Sequence, residues 1–164
     1  MFVLIYEKIN RHVEIRPALS YTTDVLQRFP KLDDTVTSPI NLPDIVSEVR
    51  AVFERYERAL QANDIPVMEE LFWEHDATTR YGVGENLLGW QSISDFRRSG
   101  KLGKFQRTLF NTIITTYGRD FATANTEYQR EGEANTGRET KTLMRTAHGW
   151  RIVSAHASLL GMTV

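Results

Sequence analysis

The hydrophobic pattern of this 164-residue chain changes period once. Between Asn41 and Gly103 apolar residues return every three or four positions, and after Gly103 they return every second one. The first period is that of a helix with one buried face, the second that of a half-buried strand. A chain that is helical first and β afterwards buries both kinds of apolar face by laying the helices on one side of a sheet, an α+β layout.

The helical part is punctuated by its own start and stop signals. Asn41 is an N-cap type, with Pro43 just inside the start and Asp44 in the first turn. Ile45, Val46, Val49, Val52, Phe53, Tyr56 and Leu60 predict an amphipathic helix over about 43–62. Asn63-Asp64 ends it and can cap a second helix over 65–71, with Ile65, Met68, Leu71 and Phe72 on one side. Residues 76–84 read as a strand with a glycine-rich exit, and 90–98 as a third helix whose stripe is Trp90, Ile93 and Phe96. After Gly103, strands are expected over 105–117, 121–131, 138–146 and 150–160, joined by the turns Gly118-Arg119-Asp120 and His148-Gly149 and by the loop 132–137. Tight turns between successive strands imply an antiparallel meander. The expected architecture is a cone-shaped, curved antiparallel sheet with about three N-terminal helices enclosing a pocket, the usual kind of small-molecule site.

Residues 1–40 do not share either period and end in the turn formers Pro30, Asp33, Asp34, Ser38 and Pro39. They are expected to form a loosely packed N-terminal extension, with a short strand at 2–6 and a short helix near 21–28, and 41–164 the folded domain.

Composition narrows the chemistry. The chain has no cysteine, so a disulfide framework, a thiol nucleophile and cysteine-ligated metals are excluded. A net charge of −1 argues against nucleic acid as a partner. Four histidines (His12, His75, His148 and His156) without a His-x-x-x-His pair give no metal site, and no cofactor is implied. The opening MFVLIY is too short for a secretory signal, and no stretch approaches the ~20 apolar residues of a membrane span. A cytoplasmic protein with no membrane partner is expected.

Four stretches, taken together, carry a family resemblance: NLPDIVSEVRAVFERYERAL, LFWEHDATTRYGVGENLLG, TIITTYGRDFATANTEYQR and WRIVSAHASLLG. They resemble the AtzH/HpxZ group, a small bacterial family within the cone-fold superfamily of nuclear transport factor 2 and the SnoaL-like enzymes. The resemblance covers about 41–161, and relatives of this kind begin near Asn41-Leu42-Pro43. It implies a role in the catabolism of nitrogen-rich small molecules. AtzH-like members are associated with cyanuric acid breakdown, converting 1,3-dicarboxyurea to allophanate as decarboxylating amidohydrolases beside an amidase-signature enzyme. HpxZ-like members are associated with oxalurate breakdown. The working pair implied by the resemblance falls on Tyr56 in FERYERAL and Arg80 in TTRYGVGEN.

The residue types suit that chemistry. A guanidinium binds a carboxylate bidentately and keeps its charge at any working pH, which fits Arg80. An N-carboxylate loses CO2 as its nitrogen gains a proton, and a phenol O–H such as that of Tyr56 can donate there. Residue type alone favours an ion-paired strand arginine at Arg80 and an ordinary buried tyrosine at Tyr56, and it is the resemblance that points to the working pair. Trp73, Asn86, Tyr128, His156 and Ser158 are the further candidates for contacts to a substrate, with Trp73 and Trp90 readable as pocket wall or as core. His156 is placed on one side of the last strand with Trp150, Ile152, Ser154 and Ser158, facing either the pocket or a dimer interface. Glu85 and Glu127 are candidate bases, which an isomerase or cyclase of the SnoaL type would need. Arg97, Arg98, Lys101 and Lys104 read as cations favouring the C-terminal dipole of the third helix. A non-catalytic ligand-binding or accessory protein of an amidase is the competing reading, because one fold hosts both. A homodimer paired through the outer face of the sheet is expected.

Overall fold

The structure is a computed structural model, and it describes residues 37–161. The expectations for 2–6 and 21–28 lie outside the described residues. Three helices come first: α1 (Pro43–Ala62), α2 (Ile65–Leu71) and, after two short strands β1 (Thr79–Tyr81) and β2 (Asn86–Leu88), α3 (Trp90–Arg98). Four long strands follow: β3 (Arg107–Tyr117), β4 (Phe121–Arg130), β5 (Thr136–Thr146) and β6 (Gly149–Leu159). The six strands form one curved sheet in the order β2-β1-β6-β5-β4-β3. The α+β class and the three-helix layout are those expected from the change of period.

Local details differ from the sequence pattern in two places. The stretch 76–84 contributes only the three residues of β1, which pair antiparallel with β2 and parallel with β6, so the sheet is mixed. Asn41 does not cap α1. Leu42 holds that position without a side-chain bond, while Asn41 adopts φ +57° and accepts from the backbone N–H of Thr116 through Oδ1 at 2.9 Å. Asp64 does cap α2, accepting from the Val67 N–H at 3.2 Å.

Ile45, Val49, Phe53, Tyr56 and Leu60 bury the inner stripe of α1 against Ile114, Ala122, Ala124, Leu143, Ile152 and Ala155 of the sheet. Each large apolar side chain buried this way contributes about 1.5–3 kcal/mol of transfer free energy. Small residues on the sheet floor, chiefly alanines, leave room for the helices to approach. At the far end of β4 the floor is filled differently: the Tyr128 ring lies across Gly137 of β5, where a Cβ would stand 2.0 Å from the ring. Only glycine fits there.

Two bulges bend the sheet and reset its facing. One lies in β3 between Phe110 and Ile113, with Asn111 at φ +51°. The other lies in β6, where Leu143 pairs Ile152 and Thr142 pairs Ser154, leaving Val153 as the extra residue. Before Val153, Trp150 and Ile152 face inward; after it, Ala155 and Ala157 do. His156 and Ser158 are therefore on the opposite face from Trp150 and Ile152, which corrects the single-sided reading of this strand. The outer face carries exposed Phe110, Ile113, Tyr117 and Phe121. Among the described residues no helix is long and apolar enough to cross a membrane.

Candidate functional site

A cavity of about 210 Å³ opens between α1, α3 and the far end of the inner sheet face. That is the share of about seven waters at ~30 Å³ each, and suits a small metabolite rather than a macromolecule. Tyr56 and Leu60 line it from α1, Arg80 from β1, Phe96 from α3, Arg107 from β3, Tyr128 and Arg130 from β4, and Glu139 from β5. Glu85 reaches in from the turn after β1, and Lys101 from the loop after α3. Four cations thus face two carboxylates, a balance that favours an anionic occupant.

Arg80 is held from two directions. Its guanidinium lies 5.4 Å from the Phe96 ring centroid and its Nη1 donates to Glu85 Oε1. Glu85 folds back over Gly82, where a Cβ would stand 1.9 Å from its Oε1, so this ion pair needs a residue without a side chain at 82. Burial pulls the Arg80 guanidinium down, but Tyr56, Glu85 and Glu139 more than compensate, and it sits above its ordinary value. One edge of the fork is taken by Glu85, and an arginine has five donors, so the rest remains for a ligand. Tyr56 is 1% exposed, and its ring contacts Phe72 at 5.6 Å between centroids.

Behind Tyr56 lies a closed network that sequence reasoning missed. Arg107 donates bidentately to Glu57 (Nε at 3.0 Å, Nη2 at 2.6 Å) and to Glu139 at 2.7 Å. Lys141, fully buried, stands 2.9 Å from both Glu57 and Glu139. Two cations and two carboxylates share all their ion pairs, and the group is neutral as a whole. Burial would raise the Glu139 carboxyl, but Lys141 and Arg107 hold it well below the ordinary carboxylate range. Burial would equally lower the Lys141 ammonium, and Glu139 and Glu57 hold it up. The Lys141 Nζ also stands 5.0 Å from the centroids of both Phe53 and Tyr56. A signal existed in the sequence: Glu139 and Lys141 alternate in step with Leu143, whose side faces the core. Opposite charges two apart on a buried face mark a pairing.

Of the seven residues singled out from sequence, Tyr56, Arg80 and Tyr128 meet at the cavity. Trp73 does not line it; its indole stacks on His75 at 4.0 Å in a separate groove with Glu74, His148 and Arg151. Asn86 is exposed on β2, opposite Tyr81. His156 is exposed on the outer face, edge-on to Tyr81 at 6.1 Å, and Ser158 lies on that face opposite Arg138. The β6 bulge is the reason for both. Of the two candidate bases, Glu85 reaches the cavity, while Glu127 accepts from Asn111 Nδ2 at 2.8 Å on the exposed side. Among the described residues no cluster of three His, Asp, Glu or Cys side chains is placed to hold a metal ion.

A curved sheet with three helices over one face is a fold shared with solved structures described as NTF2-like. An NTF2-like superfamily protein from Salmonella enterica serovar Typhimurium LT2 matches at 24% identity with a TM-score of 0.59, covering 74% of this chain and 98% of that one. The chain belongs to the AtzH-like family, whose model matches residues 38–163. A protein of unknown function of the DUF3225 family from Pectobacterium atrosepticum SCRI1043 is 47% identical, with a TM-score of 0.72 over 74% of this chain and 95% of that one. A cystatin-like fold protein from Burkholderia xenovorans LB400 is 42% identical, also at 0.72, over 77% and 99%. No curated protein matches.

Proposed function

We propose that the protein is a small-molecule catabolic enzyme that removes CO2 from a carboxylated urea, with 1,3-dicarboxyurea as the leading substrate, or one that acts in oxalurate catabolism. The observation that carries this reading is the convergence of Tyr56 and Arg80 on one small cavity with an excess of cations. Arg80 anchors a carboxylate of the substrate through the donors that Glu85 leaves open. The bond between nitrogen and the departing carboxylate carbon breaks, its electron pair stays on nitrogen, and CO2 leaves. Nitrogen takes the proton of the Tyr56 hydroxyl, which solvent then replaces, so one proton is consumed and allophanate is the product. Enclosure by Phe96, Leu102 and Phe105 limits the water that would weaken these contacts. A functional link to an amidase-signature enzyme, which would consume allophanate, and pairing of two copies through the outer face bearing Phe110 and Ile113 belong to the same reading.

Purified protein given synthetic 1,3-dicarboxyurea, oxalurate and biuret-derived carboxylates side by side is expected to release CO2 from the first. Tyr56→Phe and Arg80→Met are each expected to lower kcat/KM by about 10²-fold or more. Variants that keep the wild-type rate would remove both residues from the reaction, and saturable binding without turnover would mark an accessory protein instead.

A further inference from the structure

The positive excess of the cavity is not spread evenly over its wall. Arg80 is paired with Glu85, and Arg107 and Glu139 belong to the closed network behind Tyr56. With those pairs set aside, Arg130 and Lys101 are the cations left on the wall, and no carboxylate is. Arg130 ends β4 and stands directly opposite Arg107 of β3, so two guanidiniums share one cross-strand position on the inner face. Like charges placed that way repel. Arg107 has carboxylates at 2.6 and 2.7 Å. Arg130 has Glu133 alone among the described residues, at 3.4 Å through Nη1, on the exposed loop after β4. Exposed pairs of that kind contribute little. The Arg130 Nε is buried with no hydrogen-bond partner among the described residues, and the guanidinium lies 4.5 Å from the centroid of Phe105, which also lines the cavity. The fold thus sets a cation in this wall, lays an aromatic ring against it and leaves most of its five donors unused.

We propose that Arg130 is a second anion anchor: it binds the far carboxylate of a ligand whose near carboxylate is on Arg80, so that the site selects small dicarboxylates over monocarboxylates. This deepens the reading of the cavity as the place where Arg80 holds a carboxylate, and rests on it. The two arginines reach the cavity from strands with β6 and β5 between them, about 14 Å of sheet at ~4.8 Å per strand. A ligand that meets both guanidiniums therefore needs an anionic group at each end. Leu60, Phe96, Leu102 and Phe105 line the space as well, and suit an uncharged middle. 1,3-Dicarboxyurea has that form, with two carboxylates joined through a urea. Each guanidinium binds its carboxylate by charge-assisted hydrogen bonds. The arrangement also gives the reaction a direction: loss of CO2 removes one of the two carboxylates, so allophanate keeps a single grip and leaves more readily than the substrate.

Glutarate tests this without turnover, because it carries two carboxylates at the spacing of dicarboxyurea, and butyrate is the same kind of chain with one. Titration calorimetry on the full chain is expected to show glutarate binding at least about tenfold tighter than butyrate. Arg130→Met, which keeps an apolar stem against Phe105, is expected to weaken glutarate about tenfold and butyrate less than about twofold, the retained butyrate binding showing that the variant is folded. Arg130→Lys is expected to recover part of the glutarate affinity, and Arg80→Met to weaken both ligands. With dicarboxyurea, Arg130→Met is expected to raise KM about tenfold while kcat stays within about threefold. Wild-type protein that binds glutarate no tighter than butyrate would overturn the proposal, as would an Arg130→Met variant that weakens both ligands alike or neither. Glutarate selectivity that depends on Arg130, in a protein that releases no CO2 from dicarboxyurea, would refute the reading of the reaction and leave the two-ended site standing. Turnover with an unchanged KM in Arg130→Met would refute the second anchor alone.

Discussion

On the sheet side of Tyr56, Glu57, Arg107, Glu139 and Lys141 close on one another, with each charge meeting two opposite ones. On the helix side, Arg97 is as deeply buried, yet it meets only the Met68 carbonyl and the Phe72 ring. Both clusters take charge out of water, which costs several kcal/mol per ion. The first offsets that cost with its own contacts, although Arg107 and Glu139 still reach the cavity wall. The second does not, and its Nη2 is left without a partner. Arg80 stands between the two kinds, paired with Glu85 on one edge and open on the other. Strain or unsatisfied polarity tolerated beside a cavity is the usual mark of a site shaped for something other than stability.

The contrast breaks most visibly at Lys141. Replacing it by methionine leaves two buried carboxylates to share Arg107, and about 3–5 kcal/mol of stability is expected to be lost in denaturant titration. Arg97→Met, at similar burial, is expected to lose none. A Lys141→Met loss below about 1 kcal/mol would show that the network is held by packing rather than by charge pairing.

The next effect is read against pH. Glu139 is held below its ordinary 4.5 in the folded protein, so in acid the unfolded chain binds its proton first. The stability it contributes is present above 4.5 and is lost as pH falls below that value toward the depressed one. Glu139→Gln is expected to flatten that part of the stability–pH curve. An acid limb of unchanged slope would assign the loss to other carboxylates.

The smallest effect is expected at Gly82. An alanine Cβ there meets Glu85 Oε1, and the flexible carboxylate is expected to turn away and free Arg80. Stability should change by less than about 0.5 kcal/mol. KM for a carboxylate substrate should fall by about two- to fivefold, since the competitor for Arg80 is displaced. An unchanged or raised KM would mean that Glu85 orients Arg80 rather than occupying its seat.

Much of the fold was legible because its signals are short. The stripe from Ile45 to Leu60 needs only residues three or four apart, and Asp64 caps α2 through a residue three positions on. The meander follows from turns at Gly118 and Gly149, both at positive φ. Of the site, Tyr56 and Arg80 came through family resemblance rather than through pattern, since a buried tyrosine and a strand arginine are common. His156 and Ser158 were misplaced because one extra residue, Val153, inverts the alternation that otherwise predicts facing. Arg97 was read with Arg98, Lys101 and Lys104 as a cation favouring the dipole of the third helix, a reading that says nothing of which side of the helix it faces, and the structure buries it.

What the sequence determined by itself is therefore the order, period and ends of the elements, and the exclusion of thiol chemistry by the absence of cysteine. Those are properties of residues within a few positions of one another, or of none at all. Only the tertiary structure decided which charges are paired. Glu57 meets Arg107 across 50 positions and Lys141 across 84, on elements whose facing depends on bulges and on the curvature they impose. Coulombic pairing acts over a few ångströms of space and is indifferent to distance along the chain. The network, the open edge of Arg80 and the solitary charge of Arg97 exist only once the sheet has curved around α1.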